Sequence, residues 1–316
     1  MFKKIVLCLV AVALISCSTE KSAFSRRKIS NDITFFMTTD LHYGDNDDNK
    51  DEAFAANRAT IDMMNILPGS DYPGDIAGTV DRPRAVIVTG DITEDGLLEE
   101  WQWFTADYGV NGECRVRYEV YEGWGNHDCH GDRMFVMDGI RERNKKRVGL
   151  SNISDNGYHY SWDWGDFHFI HLNVYPGTGA GDVNSWGDPA DSLPFLIDDL
   201  KQTSGSSGKA VVIFIHFAFD KWMLENWQEW EQDAFYDVVR HYKIIAMFGG
   251  HGHELQAGKW RGIDYFEIPA SQPLAKEKGF GVIHITDDKM TVTAFSNTGG
   301  WHPQYFEKDL ASVKKN

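Results

Sequence analysis

Hydrophobic residues in this chain fall into short unbroken runs, each closed at once by a polar cluster. Ile33–Thr39 (ITFFMTT), Ala85–Thr89 (AVIVT), Val120–Glu122, Ala210–Ile215 (AVVIFI) and Ile244–Phe248 have the length and the β-branched or aromatic content of buried strands. Between them, apolar positions return at helical spacing. This predicts helices over Ala53–Leu67, Leu97–Tyr108, Arg133–Lys146, Asp191–Gln202 and Glu231–Tyr242. Tyr158–Trp164 and Phe167–Val174 alternate aromatic with polar residues around Gly165-Asp166 and predict a hairpin. Tyr265–Ile268, Gly281–Ile285 and Met290–Phe295 predict antiparallel strands. Strand alternating with helix predicts an α/β fold around parallel strands. With no internal repeat and no linker, the pattern predicts one domain over residues 31–316. Pro68–Arg84, rich in Gly, Pro and Asp, predicts a loop whose length is uncommon without a purpose.

What ends the runs carries the chemistry. They close in Asp40-Leu41-His42, Gly90-Asp91, Gly125-Asn126-His127-Asp128, His216, and Gly249-Gly250-His251-Gly252-His253. Parallel strands alternating with helices bring their carboxyl ends to one rim, where open α/β sheets bind ligands. Each cluster alone is weak evidence. Asp caps helices routinely, and a lone strand-end His such as His216 is more often a core residue. Together, Asp40, His42, Asp91, Asn126, His127, His216, His251 and His253 are expected to share a crevice. Imidazole with carboxylate suits Mn, Zn, Fe or Ni, and the absence of ligating Cys argues against a thiolate site. Asp45 to Asp51 superficially resembles a calcium loop, but Lys50 stands where the sharp-turn Gly belongs and Ala56 where the Glu belongs. It is expected to be a solvated acidic loop. His168, His171 and His284 are expected to be structural, and His130 to cap the following helix.

The N-terminus changes the picture of where the domain resides. Lys3 and Lys4 precede the apolar run Ile5–Ile15, too short to span a bilayer. Leu14-Ile15-Ser16-Cys17 resembles a bacterial lipoprotein signal, which implies cleavage after residue 16, lipid on Cys17, a tether over residues 17–30, and membrane attachment on the periplasmic or cell-surface side. Removing residues 1–16 takes away Lys3 and Lys4 and moves the net charge from −16 to −18. That balance excludes a nucleic-acid partner, whose binding needs Lys and Arg against phosphate. The basic stretch Arg141–Arg147 is expected to be the solvated face of a helix. Cys114 and Cys129 remain, and export permits a disulfide between them.

In order, Asp-x-His, Gly-Asp, Gly-Asn-His-Asp, a strand-end His and Gly-His-x-His resemble the calcineurin-like metallophosphoesterases from about residue 33 to residue 253. The resemblance implies a four-layer α/β/β/α sandwich of two mixed β-sheets flanked by helices. It implies two divalent or transition-metal ions, one on Asp40, His42 and His253, the other on Asn126, His216 and His251, with Asp91 bridging. It further implies a bridging hydroxide that attacks phosphorus, with His127 as general acid and Asp128 holding its ring. Protein Ser/Thr phosphatases carry Arg where this chain has Asp95 and Trp124, and purple acid phosphatases need a Tyr that Thr93 and its neighbours do not supply. The expected substrate is therefore a small-molecule or lipid-headgroup phosphomonoester or phosphodiester. Phe217, Phe219, Trp222, Trp227 and Trp230 are expected mostly to cover core, some forming a substrate wall opposite the Pro68–Arg84 loop. A surface lipoprotein that binds metal or ligand without catalysis is the alternative.

Overall fold

The computed structural model describes residues 31–44, 46–129, 134–178, 187–205, 207–217, 219, 224 and 227–311, with backbone only for 46–50. The proposed signal and tether, His130, Arg133 and Trp222 lie outside them. Numbered in chain order, the strands are β1 (Ile33–Thr38), β2 (Ala85–Val88), β3 (Glu119–Glu122), β4 (Leu150–Ile153), β5 (Tyr160–Trp164), β6 (Phe167–His171), β7 (Ala210–Phe214), β8 (Lys243–Gly249), β9 (Gln256–Trp260), β10 (Ile263–Glu267), β11 (Gly279–Ile285), β12 (Lys289–Ser296) and β13 (Phe306–Asp309). The helices are α1 (Asn46–Ile66), α2 (Leu98–Asp107), α3 (Phe135–Asn144), α4 (Ser192–Thr203) and α5 (Glu229–Val239).

The strands make two mixed sheets, ordered β13-β12-β11-β1-β2-β3 and β4-β5-β6-β7-β8-β10-β9. Each is built on a parallel triplet joined through helices: β1-α1-β2-α2-β3 in the first sheet, and β6-α4-β7-α5-β8 in the second. Such units put every carboxyl end of a triplet on one edge. The hydrophobic runs are unbroken because both sheet faces are covered. Phe35, Met37, Ile87 and Tyr121 share a core with Phe169, Phe214 and Phe248 of the other sheet. Their alternates Phe36, Val86, Val88 and Val120 pack with Ile61, Met64 and Phe104 of the helical layer. Phe35 meets Phe169 and Phe214 edge-on at centroid distances of 6.0 and 5.9 Å, across the intersheet layer. Polar bonds tie the sheets at the rim: His171 Nε2 to the Val88 carbonyl (3.0 Å), and Trp124 N to Asn173 Oδ1 (3.2 Å).

Several expectations are corrected. The tail strand β10 runs parallel to β8 and antiparallel to β9, rather than only antiparallel. β4, β9 and β13 have no counterpart in the sequence pattern; all three are sheet edges with alternating exposure, and their sequences carry little apolar signal. α1 already begins at Asn46, so residues 46–51 are helical rather than loop. The Pro68–Arg84 loop joins a helix to the start of β2, so it lies at the amino edge, where Arg84 N donates to the Thr34 carbonyl (2.8 Å). It buries Tyr72, Ile76 and Val80 and cannot face a substrate at the opposite rim.

The stretch Arg141–Arg147 is not simply a solvated face. Arg143 and Arg147 reach inward to the fully buried Glu122, with Arg143 Nε 2.7 Å from Oε1 and Arg147 Nη2 on Oε2. Burial raises the Glu122 pKa, but the two guanidinium groups outweigh it and push it down to about 2. Cys114 and Cys129 are free thiols rather than a disulfide; Cys129 Sγ instead contacts the Gly125 carbonyl at 3.5 Å. Among the described residues, no helix is long and apolar enough to cross a membrane.

Candidate metal centre

The loops leaving β1, β2, β3, β7 and β8 converge on one point between the sheets. Asp40 N donates to the Gly90 carbonyl (3.0 Å), and Leu41 N and His42 N share the Asp91 carbonyl at 2.7 and 3.0 Å. The β1 and β2 exits therefore stay paired beyond the strands. His127 N donates to Asp91 Oδ1 (2.9 Å) and His251 N to Asp40 Oδ2 (3.0 Å), which draws in the β3 and β8 exits. Glycine permits this closeness. A Cβ on Gly125 would lie 2.5 Å from Asp91 N, and one on Gly250 would lie 2.6 Å from Asp40 Oδ2. Of the nine non-glycine residues with positive φ among the described residues, five are Asp40, His42, Asp91, His251 and His253. Left-handed backbone at non-glycine positions is sparsely populated and concentrates where the surroundings force a side chain into place.

Two donor groups result: Asp40 with His42 and His253, and Asp91 with His216 and His251, the ligand atoms of each within 4.8 Å of one another. Asp91 Oδ2 stands between them, 3.8 Å from His42 Nε2 and 3.2 Å from His216 Nε2. In the first group His253 Nε2 is 3.0 Å from Asp40 Oδ1. In the second, Asn126 Oδ1 lies 3.1 Å from His216 Nε2. The outer nitrogens are held: His42 Nδ1 by Glu94 Oε2 at 2.6 Å, and His216 Nδ1 by the Thr89 carbonyl at 3.0 Å. Nε2 of each therefore aims at the shared space, and His42 Nε2 is buried there with no hydrogen-bond partner. Outer-nitrogen partners of this kind orient metal-binding histidines. The donor set and the orphaned Nε2 fit a pair of borderline divalent cations.

The charges say the same. Burial lowers the His42 pKa, yet the hydrogen bond to Glu94 and the charges of Asp91 and Asp40 push it up to about 9. Burial likewise opposes protonation of His216, and Asp91 and Asp40 overcome it, again to about 9. Burial alone would raise Asp40 and Asp91, but His253 and His216 respectively hold them well below the usual carboxylate range. The acidic groups thus hold protons on both rings, at positions where a metal would supply the positive charge instead.

All seven residues expected to bind metal, Asp40, His42, Asp91, Asn126, His216, His251 and His253, are brought to this one place, with His127 beside them. The His127 ring packs edge-on against His42 at 4.7 Å. The expected role of Asp128 is corrected. Its Oδ1 accepts Thr93 N (2.8 Å) and Thr93 Oγ1 (2.7 Å), and its Oδ2 accepts Gly125 N (2.8 Å) and Ile92 N (3.1 Å). It stitches the β2 exit to the β3 exit, while His127 Nδ1 meets the Glu94 carbonyl at 2.8 Å. Buried beside Asp91, Asp128 has its pKa raised to about 6, by burial first and then by that neighbouring charge.

Sequence reasoning missed Glu94 and Gln272. Glu94, three residues after Asp91, was signalled only by its place in the same turn; Gln272, whose Nε2 is 3.1 Å from His253 Nδ1, carried no local signal. Trp124 is wholly buried against Tyr158 and His159. Phe219 and Trp227 pack with Trp260 in the core, whereas Phe217 lies edge-on to the His251 ring at 4.9 Å. His168, between Asp163 and Asp199, and His284, on Asp32, lie apart from the centre.

No protein-family model and no curated protein matches the chain. Solved structures do. A dimetal phosphatase from Danio rerio is 14% identical, with a TM-score of 0.61 over 88% of this chain and 99% of that one. GAP50, described as the anchor in the inner membrane complex of Plasmodium, is 10% identical, with a TM-score of 0.59 over 89% of each chain. The fold is the one these proteins share: an α/β sandwich of two mixed sheets flanked by helices.

Proposed function

We propose that the chain is a calcineurin-like metallophosphoesterase, a dinuclear metal-dependent hydrolase of a small-molecule or lipid-headgroup phosphomonoester or phosphodiester. The observation that carries the reading is the pair of donor groups sharing Asp91. Asp40, His42 and His253 would hold one ion, Asn126, His216 and His251 the other, with Asp91 common to both. When bound, such ions polarise phosphoryl oxygens and make water nucleophilic near neutral pH. The protein's share is position and proton handling. Glu94 fixes His42 through its carboxylate and His127 through its carbonyl. The Glu94 carbonyl can only accept, so His127 Nδ1 keeps its own proton; the proton for the departing oxygen would be a second one, carried on Nε2 of the cationic ring, a role worth about 10²–10⁴-fold.

Trp124 and Asp95 stand where an arginine fork would grip a phosphoprotein, which supports a smaller substrate. Export and lipid attachment at Cys17 belong to the same proposal and would bring the domain to a membrane surface. Loss of the lipid adduct from a Cys17→Ala protein, read by mass spectrometry, tests that part.

The fold does not by itself separate enzyme from binding module, since the Plasmodium protein of similar fold is described as an anchor. The complete donor set favours the enzyme. Metal analysis, with turnover of p-nitrophenyl phosphate against bis-p-nitrophenyl phosphate in Mn, Zn, Ni and Fe, is the test. Two bound metals with no turnover of either ester would overturn the catalytic reading.

A further inference from the structure

We propose that Gln272 is the positioning residue that holds the His253 ring for the ion shared with Asp40 and His42; the inference rests on the metal-centre reading above. His42 and His216 are almost fully enclosed and have their outer nitrogens tied to Glu94 and Thr89. His253 differs. Its side chain is 31% exposed, it follows Gly252, and its own φ is 60°. Packing alone therefore leaves the ring weakly held, and the buried amide of Gln272 supplies the restraint. Gln272 Nε2 lies 3.1 Å from His253 Nδ1 and 3.3 Å from Nε2.

Gln272 is itself fixed, and by the strand that carries Asp40. Ser271 N donates to the Thr39 carbonyl and Gln272 N to the Asp40 carbonyl, each at 3.2 Å, while Thr38 Oγ1 and Ser271 Oγ lie 3.0 Å apart. The segment leaving β10 in the second sheet is thus laid along the exit of β1 in the first. It brings the amide to the one histidine of the group that the core does not enclose. A glutamine offers both donor and acceptor, so it satisfies Nδ1 whether or not that nitrogen carries a proton. The amide here presents its nitrogen to the ring; when the Nε2 lone pair is given to a cation, Nδ1 carries the proton, and the amide would turn over to present its oxygen. Glutamate keeps that acceptor; leucine removes it.

The experiment titrates the metal-stripped full chain with Mn²⁺ by calorimetry, comparing wild type, Gln272→Leu and Gln272→Glu, with thermal melts of each metal-free protein. In Gln272→Leu one of two binding steps should weaken by about 10–100-fold, the other should hold, and the metal-free melt should match wild type. Gln272→Glu should restore the weakened step. Gln272→Met carries the same comparison if the leucine protein does not fold. Two wild-type binding steps in the leucine protein would overturn the inference, as would equal loss at both steps without rescue by glutamate. A wild-type protein that takes up no metal would instead sink the metal-centre reading itself.

Discussion

Oε2 of Glu94 lies 2.6 Å from Nδ1 of His42, and this contact decides which nitrogen of the ring faces the shared space. Glu94 is only partly buried, whereas His42 is enclosed. The carboxylate therefore stands between solvent and the centre. Glu94→Ala is expected to lower affinity for the ion on Asp40, His42 and His253 by about 10–100-fold, and turnover with it. Metal content after dialysis, read beside turnover at saturating metal, checks this. A variant with wild-type metal content and rate would show that the contact orients nothing that matters.

His127 and Asp128 are adjacent in sequence but should fail differently. His127→Ala is expected to keep both ions and lose about 10²–10⁴-fold in turnover. Asp128→Ala leaves three buried backbone N–H groups without their acceptor, each worth about 1–3 kcal/mol. It should therefore show first as a lowered urea midpoint. Equal urea midpoints for Asp128→Ala and wild type would contradict the stitching role.

Glu122 sets a limit in acid. Its pKa is depressed in the folded protein, so its stabilising share is present above the unfolded value of 4.5 and disappears as pH falls through about 2. Glu122→Gln leaves Arg143 and Arg147 as buried cations without their carboxylate, and should cost about 3–5 kcal/mol at pH 7. The gap between the two proteins should narrow steadily below pH 4.5. Denaturant melts at pH 7, 4 and 2.5 test the trend, and a constant gap would refute it.

Protons and metal compete at His42 and His216. Both folded pKa values are raised from 6.5 to about 9. In chelator-treated protein this contribution to stability is therefore full below pH 6.5 and lost as pH rises through about 9. Metal uptake at pH 7 should release protons, and apparent affinity should climb until about pH 9. Calorimetry in buffers of different ionisation heat measures the release. Uptake without proton release would place the ions on other groups.

The parallel strands were legible because burial on both faces demands uninterrupted apolar runs, and the site was legible because each run ends in a donor. What escaped depended on tertiary pairing. Nothing local says that Asp128 will turn toward Thr93 rather than His127, or that a strand-end Glu122 will draw Arg143 and Arg147 inward. The loop Pro68–Arg84 was misplaced for a simpler reason. A connection from helix back to parallel strand must arrive at the amino edge, and that topological rule was available from the element order alone. Gln272 was invisible because its partner His253 lies on the exit of a different strand, β8, and nothing local pairs the two.

The left-handed backbone at Asp40, His42, Asp91, His251 and His253 has one further consequence. Each such corner costs up to about 1–3 kcal/mol, and glycine would relieve it. At His251 or His253 such a change would remove a donor from the candidate metal centre while giving back backbone strain, whereas at Asp40 or Asp91 it would also remove the acceptor of His251 N or His127 N. Selection for heat stability alone would then erode the candidate metal centre.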